Sequence, residues 1–147
     1  MTQSGVAEQQ RLCTFVVGAL LLGLPVDEVS EVVQGEHVTH VPLAPEAVVG
    51  LLNLRGHIIP AVDARTRFGL EPRGLEEEAT HVIVNVLGEQ ISLVVDRASD
   101  VVTVSPVDRE DVPDTVSPTI RRLLTSSYQR HDALLLVLDP HIVLTDL

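Results

Sequence analysis

Residues 53–70, NLRGHIIPAVDARTRFGL, decide the reading of this chain. Arg55-Gly56 separates two apolar runs, EAVVGLLNL ending at Leu54 and HIIPAVD beginning at His57, and that arrangement reads as a β-hairpin. Asp63 then precedes ARTRFG. An Asp in capping position and a Gly stop predict a short helix that ends at Gly69. The question raised by the stretch is the job of Arg55, which has carboxylate candidates in Glu31 and Asp63. An arginine fork donates five hydrogen bonds in fixed geometry, so its natural partner is a carboxylate, within the chain or on another protein. The plainer alternative is an exposed ion pair that holds the turn and contributes little.

The same punctuation continues on both sides. LCTFVVG and LLLGLPV flank Gly18-Ala19, THVIVNV and ISLVVD flank Gly88-Glu89, and ASDVVTV, SSYQR and ALLLVLD add further strand patterns. DEVSEVVQG is ambiguous between a helical turn capped by Asp27 and a strand, and TIRRLL suggests one helical turn. Asp139-Pro140 predicts a last helix, with Asp at the cap and Pro at the first position. Residues 1–10 read as a polar tail, LEPRGLEEEAT as a charged connector, and SPVDREDVPDTVSP as an acidic loop. The total is about nine or ten short strands at close spacing, which argues for an all-β barrel or sandwich. IIPAVDAR and SLVVDRAS echo each other, and LLLVLDP more faintly, as two small barrels of related design would.

Composition agrees. The 147 residues are 45% hydrophobic but only 2% aromatic, so the core is built from Val, Leu, Ile and Ala, side chains suited to pleated surfaces. The formal charge of −11 repels phosphate backbones and anionic headgroups and excludes nucleic acid as the expected partner. The single cysteine, Cys13, suits a reducing compartment. The opening MTQSGVAEQQR lacks a signal pattern and runs such as ALLLGLPV are far shorter than a span, so the expectation is a cytoplasmic protein without direct membrane insertion.

Chemistry finds little support. Asp63, Asp96 and Asp139 each end an apolar run, and an acid hydrolase using Asp63 and Asp96 would need those carboxylates within about 5–10 Å in a cleft. Capping of turns explains all three. His37 and His40 are three apart, which on a strand sends the rings to opposite faces, and the other histidines lack ligand spacing, so no metal is expected. Cys13 sits in an apolar run as a packing residue, with no motif for a nucleophile. No phosphate loop or nucleophile elbow is present and no cofactor is expected. The loop 108–114 lacks the spacing of a calcium site.

FVVG…LGLPVDEVSEVV, VPLAPEAVVGLLNLRGHIIPAVDARTRFGL and VVDRASDVV resemble the CheW family of chemotaxis coupling proteins, from about Leu12 to Leu144. The resemblance implies two small five-stranded SH3-like barrels packed around a shared hydrophobic core, intertwined within a single domain over residues 11–147. It implies a non-enzymatic adaptor between the cytoplasmic tip of chemoreceptors and the regulatory domain of a CheA-type histidine kinase, recruited to the inner membrane face through receptor arrays. A related pathway of motility, development or gene control is the alternative setting. By the resemblance, Glu31 and Arg55 match positions tied to coupling, and Asn53, Leu54 and Gly56 shape the same hairpin. Val26, Val29, Ile91 and Ala98 fall at positions lining an apolar groove for a receptor helix. The chain departs from the pattern at Ala64, at a Gly88-Glu89 hairpin read as one residue short, at small Ala98, and at Ser126-Ser127 in a late strand.

Overall fold

A computed structural model of the chain describes residues 8–72 and 78–145. The strands are β1 (Gln10–Val17), β2 (Leu20–Pro25), β3 (Val29–Gln34), β4 (Val38–Thr39), β5 (Val48–Leu54), β6 (His57–Asp63), β7 (Thr80–Val86), β8 (Glu89–Val95), β9 (Arg97–Val104), β10 (Leu124–Gln129) and β11 (Leu134–Leu138). Three short helices follow strand ends or loops: α1 (Ala64–Arg67), α2 (Pro118–Arg121) and α3 (Pro140–Thr145). Most of the expected tail and the middle of the charged connector lie outside the described residues, and Gln10 already belongs to β1.

The strands form two sheets. One has five strands in the order β10-β11-β2-β1-β9; the other has six, β3-β7-β8-β6-β5-β4, because the two-residue β4 adds an edge to the expected five. The halves are built alike. In one, hairpin β5–β6 leads through α1 to hairpin β7–β8, with β6 and β8 pairing in parallel; in the other, hairpin β10–β11 and hairpin β1–β2 join through a parallel β11–β2 pair. Each half then gives its next strand away. β3, which follows β2, pairs with β7, and β9, which follows β8, pairs with β1. Two crossings, at residues 26–28 and at Asp96, therefore lace the sheets together.

Three apolar clusters account for this arrangement. Val33 on edge strand β3 and Val38 on the opposite edge β4 both pack on Leu52, Leu54, Ile59 and Ile83, so the six-stranded sheet curls around its own small core. Val102 and Val104 of β9 and Tyr128 of β10 likewise share a cluster with Leu12 and Leu135, which curls the five-stranded sheet. The largest cluster lies between the sheets and includes Phe15, Leu22, Val62, Phe68, Leu93 and Leu136. Burial of such side chains, each worth about 1.5–3 kcal/mol, is the main stabilising term.

The hairpin turns follow from backbone chirality. Arg55 and Gly56 both have positive φ, 51° and 85°, and so do Leu87 and Gly88, 51° and 82°. Two successive positive φ values in a two-residue loop define the type I′ turn, whose twist matches that of the strands it joins. The second turn is thus Leu87-Gly88, one residue earlier than the sequence suggested; Glu89 pairs with Val86 and no residue is missing. Gly50 answers a different demand, since a Cβ there would lie 2.1 Å from the Thr39 carbonyl oxygen where β4 crosses close to β5.

The strand-end aspartates divide. Asp63 caps α1, accepting from the Arg65 amide at 3.3 Å and the Thr66 hydroxyl at 2.8 Å, and Asp139 caps α3, accepting from the His141 amide at 3.0 Å. Asp27 caps nothing: a 3₁₀ turn over Val26–Glu28 has Pro25 at its cap position, and β3 follows at once. Asp96 departs from the capping expectation, because a strand crossing rather than a helix follows β8. Its carboxylate accepts two bonds from the Arg65 fork, at 2.8 and 2.7 Å, and a third from the Gly18 amide at 2.7 Å. A bidentate, partly buried pair of this kind is stronger than an exposed one. A double-mutant cycle over Arg65→Leu and Asp96→Asn is expected to give a coupling of about 1–3 kcal/mol in denaturant unfolding. Additive effects would show that the fork carries no stability of its own.

Candidate functional site

Arg55 stands at the tip of β5–β6, and its guanidinium donates to the Glu31 carboxylate on β3. The Arg55 side chain is 68% exposed and that of Glu31 28%. The pair spans the open side of the curled sheet, from a hairpin tip to the opposite edge strand. Asn53 braces the turn by accepting from the Gly56 amide at 3.1 Å, and Leu54 is buried in the inner cluster beneath it. Of the two carboxylates considered for Arg55, Glu31 is the partner; Asp63 is turned towards its helix cap.

The groove positions assemble only in part. Val29 pairs with Val84 and Val84 with Ile91, a row across β3, β7 and β8, and both outer members pack half-buried on the central cluster. Val26 lies on the crossing that leads into β3, beside a shallow depression of about 410 Å³ shared with Arg11, Pro25 and Asp27. Ala98 is exposed on β9, opposite Phe15 of β1, just past the second crossing. Three of the four therefore mark the two strand crossings, and Ile91 connects to them through the Val84 row.

A carboxyl group the sequence did not single out sits at the first crossing. Glu28 Oε2 is buried without a hydrogen-bond partner among the described residues. Burial first, then the nearby negative charges of Asp139 and Asp27, hold its pKa above the ordinary range. The unfolded chain then binds fewer protons at Glu28 than the native state does. This group's contribution to stability falls as pH rises from the ordinary carboxylate range through the raised value. Glu28→Gln is expected to raise the thermal midpoint at pH 7, with the gain vanishing near pH 4, about the ordinary range for a glutamate. An equal gain at both pH values would place the effect in packing instead.

Other sequence expectations meet particular outcomes. His37 and His40 do not face apart, because β4 is only Val38–Thr39 and both rings lie outside it; both border one cleft. Among the described residues no group of three or more His, Cys, Asp or Glu is placed to hold a metal ion. Cys13 is half-buried, and burial raises its thiol pKa, which disfavours the thiolate a nucleophile needs. Both hydrolase candidates have their oxygens engaged in structural bonds, and Asp96 is absent from the residues that line the cleft beside Asp63. Ser127 is buried because its hydroxyl donates to the Asp111 carbonyl at 2.9 Å, and Glu110 and Ser127 exchange two 2.9 Å backbone bonds. Those bonds, with Arg121 donating to the carbonyls of Val112, Pro113 and Val116, fix the acidic loop to the body. Ala64 is fully buried in the central cluster, so the small side chain fits a close approach of α1.

Sequence reasoning missed the buried Arg67, which donates to the Val143 and Ile142 carbonyls, each at 3.0 Å, at the end of α3. It also missed the buried His81 and Ser92, whose Nδ1 and Oγ lie 2.8 Å apart. No local pattern marks either: Arg67 meets a helix 76 residues later, and His81 and Ser92 meet only across the paired strands β7 and β8.

The profile of the CheW-like domain matches residues 11–147. This chain belongs to the CheW-like domain family. It is 32% identical over 138 residues to the chemotaxis protein CheW of Treponema pallidum, covering 91% of this chain and 81% of that one. It is 25% identical to the chemotaxis protein CheW of Bacillus subtilis, covering 92% and 86%. The crystal structure of the scaffolding protein TtCheW from Thermoanaerobacter tengcongensis superposes with a TM-score of 0.83 at 28% identity, covering 94% of each chain. No helix among the described residues of this CheW-like chain is long and apolar enough to cross a membrane.

Proposed function

We propose that this CheW-like chain is a non-enzymatic adaptor that couples chemoreceptors to a CheA-type histidine kinase. Relatives named as chemotaxis and scaffolding proteins support the reading, and the strand-end carboxylates of Asp63, Asp96 and Asp139 are engaged in holding the fold. The observation that carries it is the exposed Arg55 fork, held by Glu31 on the strand that also carries Val29. Polar and apolar recognition elements thus share β3. In this reading Arg55 and Glu31 contact the partner, Asn53 and Gly56 set the turn, and Leu54 anchors it from inside. Val26, Val29, Ile91 and Ala98 line the apolar path of a receptor helix tip, a mode in which burial supplies affinity. The protein then reaches the inner membrane face through its receptor.

The test is titration with the regulatory domain of the organism's own CheA-type kinase, for wild type, Arg55→Glu, and the swapped pair Arg55→Glu with Glu31→Arg. Arg55→Glu sets a second carboxylate against that of Glu31 and is expected to weaken binding about tenfold or more while the fold persists. The swap restores the internal pair, so it should restore thermal stability but not binding. Full recovery of affinity in the swap would reduce Arg55 to a strut for the turn.

A further inference from the structure

A cleft of about 1030 Å³ opens on the six-stranded sheet, away from Arg55 and from the groove positions. Its floor is apolar, with Val38, Val48, Val49 and Val94 buried or half-buried. Its rim carries exposed Glu36 and Glu46 beside exposed His37 and His40, and no lysine or arginine appears among its described lining residues. One wall is β4, which pairs only with β5 and leaves its other backbone edge open. A cleft of this size that sets convergent polar groups, here including His37, His40 and Asp63, around an apolar floor has the usual form of a ligand site. An open strand edge beside such a floor can accept an extended segment by main-chain hydrogen bonds.

We propose that this cleft is a docking site for a short extended peptide segment that carries aliphatic side chains alternating with lysine or arginine. The choice of occupant rests on charge. An acidic rim over an apolar floor repels acidic segments and gives cations a counter-charge at the mouth, while the alternate side chains of an extended strand reach the valines. A second copy of this chain is a poor occupant, because its net charge of −11 opposes the rim. The inference does not use Arg55 or Glu31, so it stands or falls separately from the coupling reading.

The experiment is titration of the isotope-labelled full chain with two probes, the capped peptide Leu-Arg-Val-Lys-Val and its acidic counterpart Leu-Glu-Val-Asp-Val, followed by methyl and amide chemical shifts. The basic peptide should saturate and shift the methyls of Val38, Val48 and Val94, and the acidic peptide should not. Glu36→Lys with Glu46→Lys, both at exposed positions, should weaken the basic peptide about tenfold with an unchanged circular dichroism spectrum. The proposal is overturned if neither peptide saturates, if shifts scatter over the acidic surface instead of the cleft valines, or if the charge reversal leaves affinity unchanged. Sedimentation showing that the cleft is closed by self-association would overturn it equally.

Discussion

The Arg65 fork on Asp96 is the contact through which the two halves are tied. Arg65 belongs to α1, directly after β6; Asp96 sits where the chain leaves β8 for the other sheet; and the Gly18 amide that shares the carboxylate belongs to the first hairpin. Asp96 also donates its own amide to the Val16 carbonyl at 3.0 Å. One carboxylate therefore fixes the angle at which β9 crosses to β1. That crossing in turn lets the central cluster close, because Phe15 of β1 and Leu93 of β8 both belong to it. Water is largely excluded from the fork, with 26% and 18% of the two side chains exposed, and a charge left alone there would be costly to desolvate.

The exchange of β3 and β9 explains how a low-aromatic chain holds two curled sheets. Each sheet has an inner cluster of modest size, and a two-sheet body of independent barrels would leave each small core marginal. By giving away a strand, each half commits backbone hydrogen bonds to the other as well as apolar area. Arg67 on the end of α3 adds a further tie between α1, from the middle of the chain, and its last described helix. A buried arginine meeting terminal helix carbonyls is well matched in charge as well as in donors.

Local signals in the sequence were legible wherever the chain acts on itself over a few residues. The Arg55-Gly56 turn, the Asp63 and Asp139 caps, the Gly69 stop and the alternation of most strands all belong to that class. Partners were not legible. Asp63 and Asp96 end almost identical apolar runs, yet one caps its own helix and the other serves a hairpin 78 residues earlier. The echo that pointed to related barrels was likewise misassigned: β6 and β8 are parallel neighbours in one sheet, and the matching elements of the two halves are β6 with α1 and β11 with α3. Periodicity states which face is buried but not which strand lies beside it. His37 and His40 illustrate the remaining limit, since the strand on which their rings were expected to face apart is only two residues long and contains neither. The CheW-like resemblance carried the two-sheet fold, which periodicity could not, and the structure selects Glu31 from the two carboxylates considered for Arg55.

At Arg55 the fold and the proposed role share one geometry. A positive φ costs a non-glycine residue roughly 1–2 kcal/mol, and Leu87 bears the same conformation in a hairpin with no role assigned, so strain alone marks no site. What separates the two turns is what their side chains meet. Leu87 projects into solvent, whereas Arg55 returns across the mouth of the curled sheet to Glu31. The left-handed backbone aims the arginine there, Asn53 holds the turn, and Leu54 roots it in the inner cluster. Glu31 orients the guanidinium while most of it stays exposed, so it is presented in one direction at little further cost in entropy. A fork fixed in this way, on the strand that continues into the apolar row at Val29, suits recognition of another protein's surface and offers no group for bond-making chemistry.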